Sequence, residues 1–137
     1  MTFLLDTNVL SELRKKRPDP AVLKWFESTR SADLYLSVLV LSEIRQGIER
    51  LRRREPSRAS VYTVWLESLR RDFADRLLSV SEAVALEWGR LAGAAPSVPP
   101  IDGLLAATAR VHGLTLVTRN VADVARTGVA TLDPFEK

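Results

Sequence analysis

The chain has 137 residues, 46% of them hydrophobic and 27% charged, which is the composition of one ordinary globular domain without room for a second core. Twenty Lys and Arg against seventeen Asp and Glu leave a net charge of +3. The absence of cysteine excludes disulfides, thiolate metal sites and a cysteine nucleophile, and fits a reducing cytoplasm. No run approaches the roughly 18–20 apolar residues that span a bilayer, and Met1–Asp6 lacks the basic start of a signal peptide.

In chain order, the apolar run Thr2–Leu5 predicts a short buried strand. Asn8–Leu13 has helical composition and is ended by Pro18 and Pro20. Residues 21–29 carry Val22, Trp25 and Phe26 at helical spacing. Leu34–Leu36 predicts a second strand. Ser37 is the N-cap of a helix whose Leu41, Ile44, Ile48 and Leu51 share one face, closed by Pro56. Another amphipathic helix is expected over residues 58–75, with Val61, Val64, Trp65, Leu69 and Phe73 turned inward. Leu77–Val80 predicts a third strand. Ser81 opens a helix through Val84, Leu86, Trp88 and Leu91 that ends near Gly93. The three prolines between Ala94 and Pro100 mark a loop. Ile101–His112 predicts a helix burying Leu104, Leu105, Thr108 and Val111. Gly113 stops it in the left-handed region, and Leu114 packs back. Leu114–Thr118 is a fourth strand, followed by a short helix from Val121 and a terminal strand near residues 129–132. Strands apolar on both faces, alternating with helices, predict an α/β fold: a short parallel sheet sandwiched by helices. Sites in such folds lie beyond the carboxyl ends of the strands.

Three acids fall where such a site would form. Asp6 directly follows the first strand, where burying a carboxylate is costly without compensation; its plain structural role is an N-cap. Glu43 interrupts an apolar helix start at the rim of the buried face, and its plain role is to face solvent. Asp102 opens a helix, a common place for an acid on dipole grounds. Converging at one sheet edge, the three would repel one another, and an oxygen-preferring divalent cation, Mg²⁺ or Mn²⁺, relieves that repulsion. The single histidine, His112, stands at a helix end and is read as facing the helix dipole, so a zinc site is not expected. Arg14-Lys15-Lys16-Arg17 and the cluster Arg45, Arg50, Arg52, Arg53, Arg54 and Arg58 are either solvated helix faces or a polyanion footprint. Sixteen of the twenty cations are Arg, which suits bidentate phosphate contact.

The block Asp6-Thr7-Asn8-Val9-Leu10-Ser11-Glu12-Leu13 resembles the opening of a PIN domain. Ser42-Glu43-Ile44-Arg45-Gln46-Gly47-Ile48, residues 101–109 (Ile-Asp-Gly-Leu-Leu-Ala-Ala-Thr-Ala) and residues 116–123 (Leu-Val-Thr-Arg-Asn-Val-Ala-Asp) agree with it in order. The likeness covers essentially the whole chain, so that 1–137 reads as a single PIN domain. It is greatest to VapC-type toxins of the FitB-like branch. The resemblance implies a PIN-like three-layer α/β/α sandwich and a metal-dependent ribonuclease. It also implies the toxin of a type II toxin–antitoxin system, cytoplasmic, homodimeric and paired with a small VapB-like antitoxin.

The same resemblance puts the family's core acids on Asp6, Glu43 and Asp102, as metal ligands for Mg²⁺ or Mn²⁺. A fourth family acid falls on Asn120, which lacks the charge; Asp123, a short turn onward, is the candidate to supply it and completes the catalytic set. Val124 stands where the family often has Phe, and the loop before Asp102 is shorter and richer in Pro than the family pattern. Asn8, Thr118 and Asn120 orient ligands or substrate, or satisfy turn backbone. The implied reaction is attack on an RNA phosphodiester by metal-activated water, leaving 5′-phosphate and 3′-hydroxyl ends. The implied substrate is single-stranded or looped RNA. The Arg45–Arg58 region either guides that strand or receives the antitoxin. Two rivals stand beside this reading. A phosphoaspartyl enzyme of the haloacid-dehalogenase type wants Asp-x-Asp and a late Lys, where this chain has Asn8 and, after Lys24, only Lys137. A non-enzymatic nucleic-acid-binding module using the Arg clusters predicts salt-sensitive binding indifferent to Asp6 and to metal.

Overall fold

Phe3–Leu5 form β1, the central strand of a five-stranded sheet in the computed structural model, which describes residues 1–136. The elements that follow are α1 (Thr7–Leu13), α2 (Pro20–Glu27), β2 (Leu34–Ser37), α3 (Val38–Arg52), α4 (Pro56–Asp72), β3 (Leu77–Leu78), α5 (Glu82–Ala94), α6 (Pro100–His112), β4 (Thr115–Val117), α7 (Val121–Val124) and β5 (Thr131–Leu132). The strand order is β3-β2-β1-β4-β5 and every pairing is parallel. Phe3 stands between Leu34 and Thr115, and Leu5 stands opposite Val117. Helices cover the sheet as the outer layers of an α/β/α sandwich. β1 is buried throughout because both of its neighbours and both helix layers close over it. After β2 and β3 the chain returns to the other side of β1, so the strand order reverses between β1 and β4. A crevice opens at the carboxyl ends of strands at such a reversal.

Local chemistry explains where the helices start and stop. Ser37 Oγ accepts from the Leu39 N–H at 3.0 Å and caps α3, and Ser81 Oγ accepts from the Val84 N–H at 3.2 Å and caps α5. Pro20, Pro56 and Pro100 each occupy the first helical position, where a missing N–H costs nothing. Gly113 adopts φ +67°. The Leu114 N–H reaches the Ala109 carbonyl at 2.8 Å, and the Gly113 N–H reaches that of Arg110 at 3.4 Å, which is a Schellman stop. Glu12 is buried and ties two helices together: its carboxylate accepts from Lys15 Nζ at 2.8 Å and from the Asp19 N–H at 2.9 Å.

Several expected faces are corrected. Val61 and Val64, expected to face inward, are 55% and 70% exposed, and Val111, expected to be buried, is 39% exposed; Leu86 on α5 is 69% exposed as well. Each lies two residues beyond a buried or half-buried position, Ala59, Tyr62, Ala109 and Val84 respectively, which is about 200° round the helix. α4 packs along α3 and buries a single stripe, Ala59, Leu66, Leu69 and Phe73, flanked by Tyr62 and Trp65. α5 buries Val84 and Leu91 against Ala107, with Trp88 and Leu104 partly covered. Pro56 opens α4 rather than closing α3, which ends at Arg52. β3 has only two residues, so Ser79 and Val80 lie outside it. Among the described residues no helix is long and apolar enough to cross a membrane.

Candidate active site

β1 delivers Asp6 to the carboxyl edge of the sheet, beside the end of β4, where the strand order reverses. Asp6 is the N-cap of α1: its Oδ1 accepts from the Thr7 N–H at 2.7 Å. Its Oδ2 accepts from Thr118 Oγ1 at 2.8 Å and from Asn8 Nδ2 at 3.4 Å. The capping role and the buried-acid role are therefore played by one carboxylate with its two oxygens divided between them. Burial pushes its carboxyl above the usual range, and the Thr118 and Thr7 bonds pull the other way.

Thr118, fully buried at the end of β4, is the hub. While its hydroxyl donates to Asp6, the same oxygen accepts from Asn8 Nδ2 at 3.3 Å and from the Asn120 N–H at 3.0 Å. Asn8 closes the ring by accepting the Arg119 N–H on Oδ1 at 3.3 Å. Asn8 and Thr118 thus orient an acid and satisfy turn backbone at the same time.

Glu43 sits on α3, half-buried, and its Oε1 accepts from Thr7 Oγ1 at 2.7 Å. Burial raises its carboxyl, the Thr7 bond lowers it, and the charges of Asp6 and Asp102 raise it further. Asp102 stands in the first turn of α6, half-buried, and is raised first by burial and then by Asp6 and Asp123. Gly103 beside it is required by packing: an added Cβ would fall 1.9 Å from the Trp88 ring. Asp123 is exposed on α7. Asn120 is exposed too, its side chain caps nothing, and what it contributes is its backbone N–H to Thr118. Asp6, Glu43 and Asp102 therefore share one electrostatic neighbourhood, with Asp123 at its margin.

Among the described residues no three acidic or histidine side chains stand as a ready-made metal cage; the Glu43 carboxylate is turned onto Thr7. The chemistry of the donors fits a hard divalent cation nonetheless. They are carboxylate, hydroxyl and carboxamide oxygens, with mutually repelling charge and no sulfur. His112 is exposed, ten residues along α6 from Asp102 and so about 15 Å away along the axis.

Thr7 joins the candidate site as the partner of Glu43, a contact that the sequence reading does not include. Its place between Asp6 and Asn8 was the available signal. The basic clusters are partly absorbed by structure. Arg45 and Arg52 pair with Glu49, and Arg58 with Glu55, on the surface. Lys15 pairs with Glu12, and the Arg14 guanidinium lies 4.2 Å from the centre of the Tyr62 ring. A groove of about 340 Å³ begins at Thr7 and Glu43 and runs between α3 and α4 to Arg50, Arg54 and Arg58.

The PIN-domain family profile matches residues 3–128. Toxin FitB of Neisseria gonorrhoeae is 33% identical, over 97% of this chain and 98% of that protein. VapC ribonuclease Y4jK of Sinorhizobium fredii is 31% identical, over 98% of each. The crystal structure of FitAcB from Neisseria gonorrhoeae superposes with a TM-score of 0.91 at 33% identity, covering 99% of this chain and 100% of that one. The resemblance to VapC-type toxins of the FitB-like branch is borne out.

Proposed function

The chain belongs to the PIN-domain family, and from that membership we propose that it is a metal-dependent endoribonuclease, the toxin of a toxin–antitoxin pair. The observation that carries the reading is the placing of Asp6 at the strand-order reversal with Glu43 and Asp102 near enough that its charge raises both of their carboxyls. The names of its relatives, a FitB toxin and a VapC ribonuclease, support it.

In this reading residues 1–137 act as one PIN domain. Asp6 and Asp102 hold Mg²⁺ or Mn²⁺, with Glu43 as the third ligand or acting through water, and Asp123 adds charge beside Asp102. When bound, such a cation acidifies water and polarises a phosphoryl oxygen. Thr118 and Asn8 fix the direction of the Asp6 carboxylate, and Thr7 holds that of Glu43. The reaction is hydrolysis of an RNA phosphodiester with solvent as nucleophile, leaving 5′-phosphate and 3′-hydroxyl ends. The protein works in the cytoplasm as a homodimer, with a small VapB-like antitoxin as partner.

The test is cleavage of single-stranded RNA with and without Mg²⁺ or Mn²⁺ by the wild type, Asp6→Asn and Asp102→Asn. Cleavage by the wild type alone, and only with metal, is expected. Equal cleavage by all three ends the proposal. Metal-indifferent, salt-sensitive binding without cleavage favours the alternative of an inert nucleic-acid-binding module.

A further inference from the structure

We propose that Arg119 binds a backbone phosphate of the RNA beside the bond that is cleaved; this rests on the nuclease reading and extends it by naming a substrate contact outside the acid cluster. Arg119 stands between Thr118, whose hydroxyl donates to Asp6, and Asn120. Its backbone is pinned on both sides. The Arg119 N–H donates to Asn8 Oδ1 at 3.3 Å, and the Asn120 N–H donates to Thr118 Oγ1 at 3.0 Å. The residue is exposed, and its guanidinium lies 4.3 Å from the centre of the Phe135 ring. The end of the sheet brings that ring there. The Thr118 N–H donates to the Leu132 carbonyl at 3.0 Å and carries the β4–β5 ladder one step past Val117. Asp133 Oδ1 then accepts the Phe135 N–H at 2.9 Å, closing a turn that folds the ring back. Phe135 is half-buried and packs against the main core, so the fold itself fixes the platform.

Stacking occupies a face of the guanidinium and leaves its N–H groups pointing outward in the plane. Among the described residues those groups of Arg119 meet no hydrogen-bond acceptor, and no ion pair joins it to Asp6, Asp102 or Asp123. Arg76 is the contrast. It lies 4.8 Å from the centre of the Phe73 ring, but its N–H groups are spent on the Ser31, Leu34 and Asp72 carbonyls. Arg110 likewise is committed to Glu87 and to the Thr127 carbonyl. Arg119 is thus held in direction yet unpaired, one residue from the hydroxyl that orients Asp6. An arginine arranged in advance loses less freedom when it takes up a phosphate, and its parallel N–H groups match two phosphate oxygens.

The experiment measures binding of a short fluorescent single-stranded RNA to the full chain in EDTA, where no cleavage competes, across a range of salt. Arg119→Ala, Arg119→Lys and Phe135→Leu are compared with the wild type; a melting curve, Mn²⁺ affinity by calorimetry and metal-dependent cleavage are recorded for each. Arg119→Ala is expected to bind RNA about tenfold or more weakly, with a salt slope shallower by about 0.7, the loss of one phosphate contact. Arg119→Lys is expected to keep the slope and to recover only part of the affinity, because a point charge replaces the fork. Phe135→Leu keeps the arginine and removes the ring, and is expected to weaken binding about two- to fivefold. Mn²⁺ affinity is expected to stay at the wild-type value in all three. Unchanged RNA affinity and salt slope in Arg119→Ala overturns the proposal, and would leave the guanidinium to an acidic group of a protein partner. So does a wild type that binds no RNA, and so does a lower melting temperature in Arg119→Ala with RNA binding intact, the mark of a purely structural stack. Arg119-dependent binding without metal-dependent cleavage by the wild type would leave this contact standing and remove the nuclease reading instead. Metal-dependent cleavage with Arg119-independent binding would do the reverse.

Discussion

One buried oxygen, Thr118 Oγ1, joins the ends of β1 and β4 through Asp6, Asn8 and Asn120. Thr118→Val keeps the shape and removes the hydroxyl, leaving three polar groups short of a partner. Chemical denaturation should show a loss of about 1–3 kcal/mol, with Thr118→Ser restoring most of it. The acids themselves act on stability in the opposite sense. Asp6, Glu43 and Asp102 are held above their usual range in the fold, so between the unfolded and folded values the native chain binds more protons than the unfolded one. Metal-free protein should therefore gain stability as the pH falls from neutrality toward the ordinary carboxylate range, and lose it as the pH rises. Glu87, held from the usual 4.5 down to about 2 first by its hydrogen bond to Arg90 and then by that to Arg110, works the other way: its contribution is present above 4.5 and lost as the pH falls toward 2. Denaturant midpoints across pH 7 to 3 measure both. Asp102→Asn should be more stable than the wild type at neutral pH and show a flatter rise. Asp6→Asn should gain less, because a carboxamide N–H₂ would face the Thr118 oxygen and the Asn8 N–H₂.

Elements were more legible than their faces. The strands announced themselves as short runs apolar on both sides, and the Ser37, Ser81 and Gly113 boundaries followed from capping chemistry. The acids were legible by position, at a strand end, on the helix after a strand and at a helix start. Which way a valine on α4 points was not legible, because Val61 and Val64 alternate with Tyr62 and Trp65 and the choice of stripe belongs to α3. Nor was the Thr7–Glu43 contact, which joins residues 36 apart in sequence. The placement of Asp102 depends on such packing. Trp88 lies against Gly103 so closely that in Gly103→Ala either the Trp88 ring must turn aside or α5 and α6 must part. Overpacking of this kind costs about 1–3 kcal/mol. Trp88→Leu in the same chain should recover part of the loss in a double-mutant cycle, and RNA cleavage should fall and recover with it as Asp102 is displaced and returned.

At the scale of the whole molecule, the function rests on topology. A parallel sheet whose order reverses at β1 brings Asp6, the start of α3 and the start of α6 to one edge, and the fold accepts their repulsion. That repulsion is the reason a cation should bind, and binding the folded state alone stabilises it, by about 2.7 kcal/mol at a hundredfold excess over Kd. The most direct measurement is a calorimetric titration of Mn²⁺ into the wild type, Asp6→Asn, Glu43→Gln and Asp102→Asn, each shown to be folded. A shared site predicts binding to the wild type and a weakening of about tenfold or more in every variant. Unaltered Mn²⁺ affinity in Asp6→Asn or Asp102→Asn would mean that those carboxylates hold no common ion.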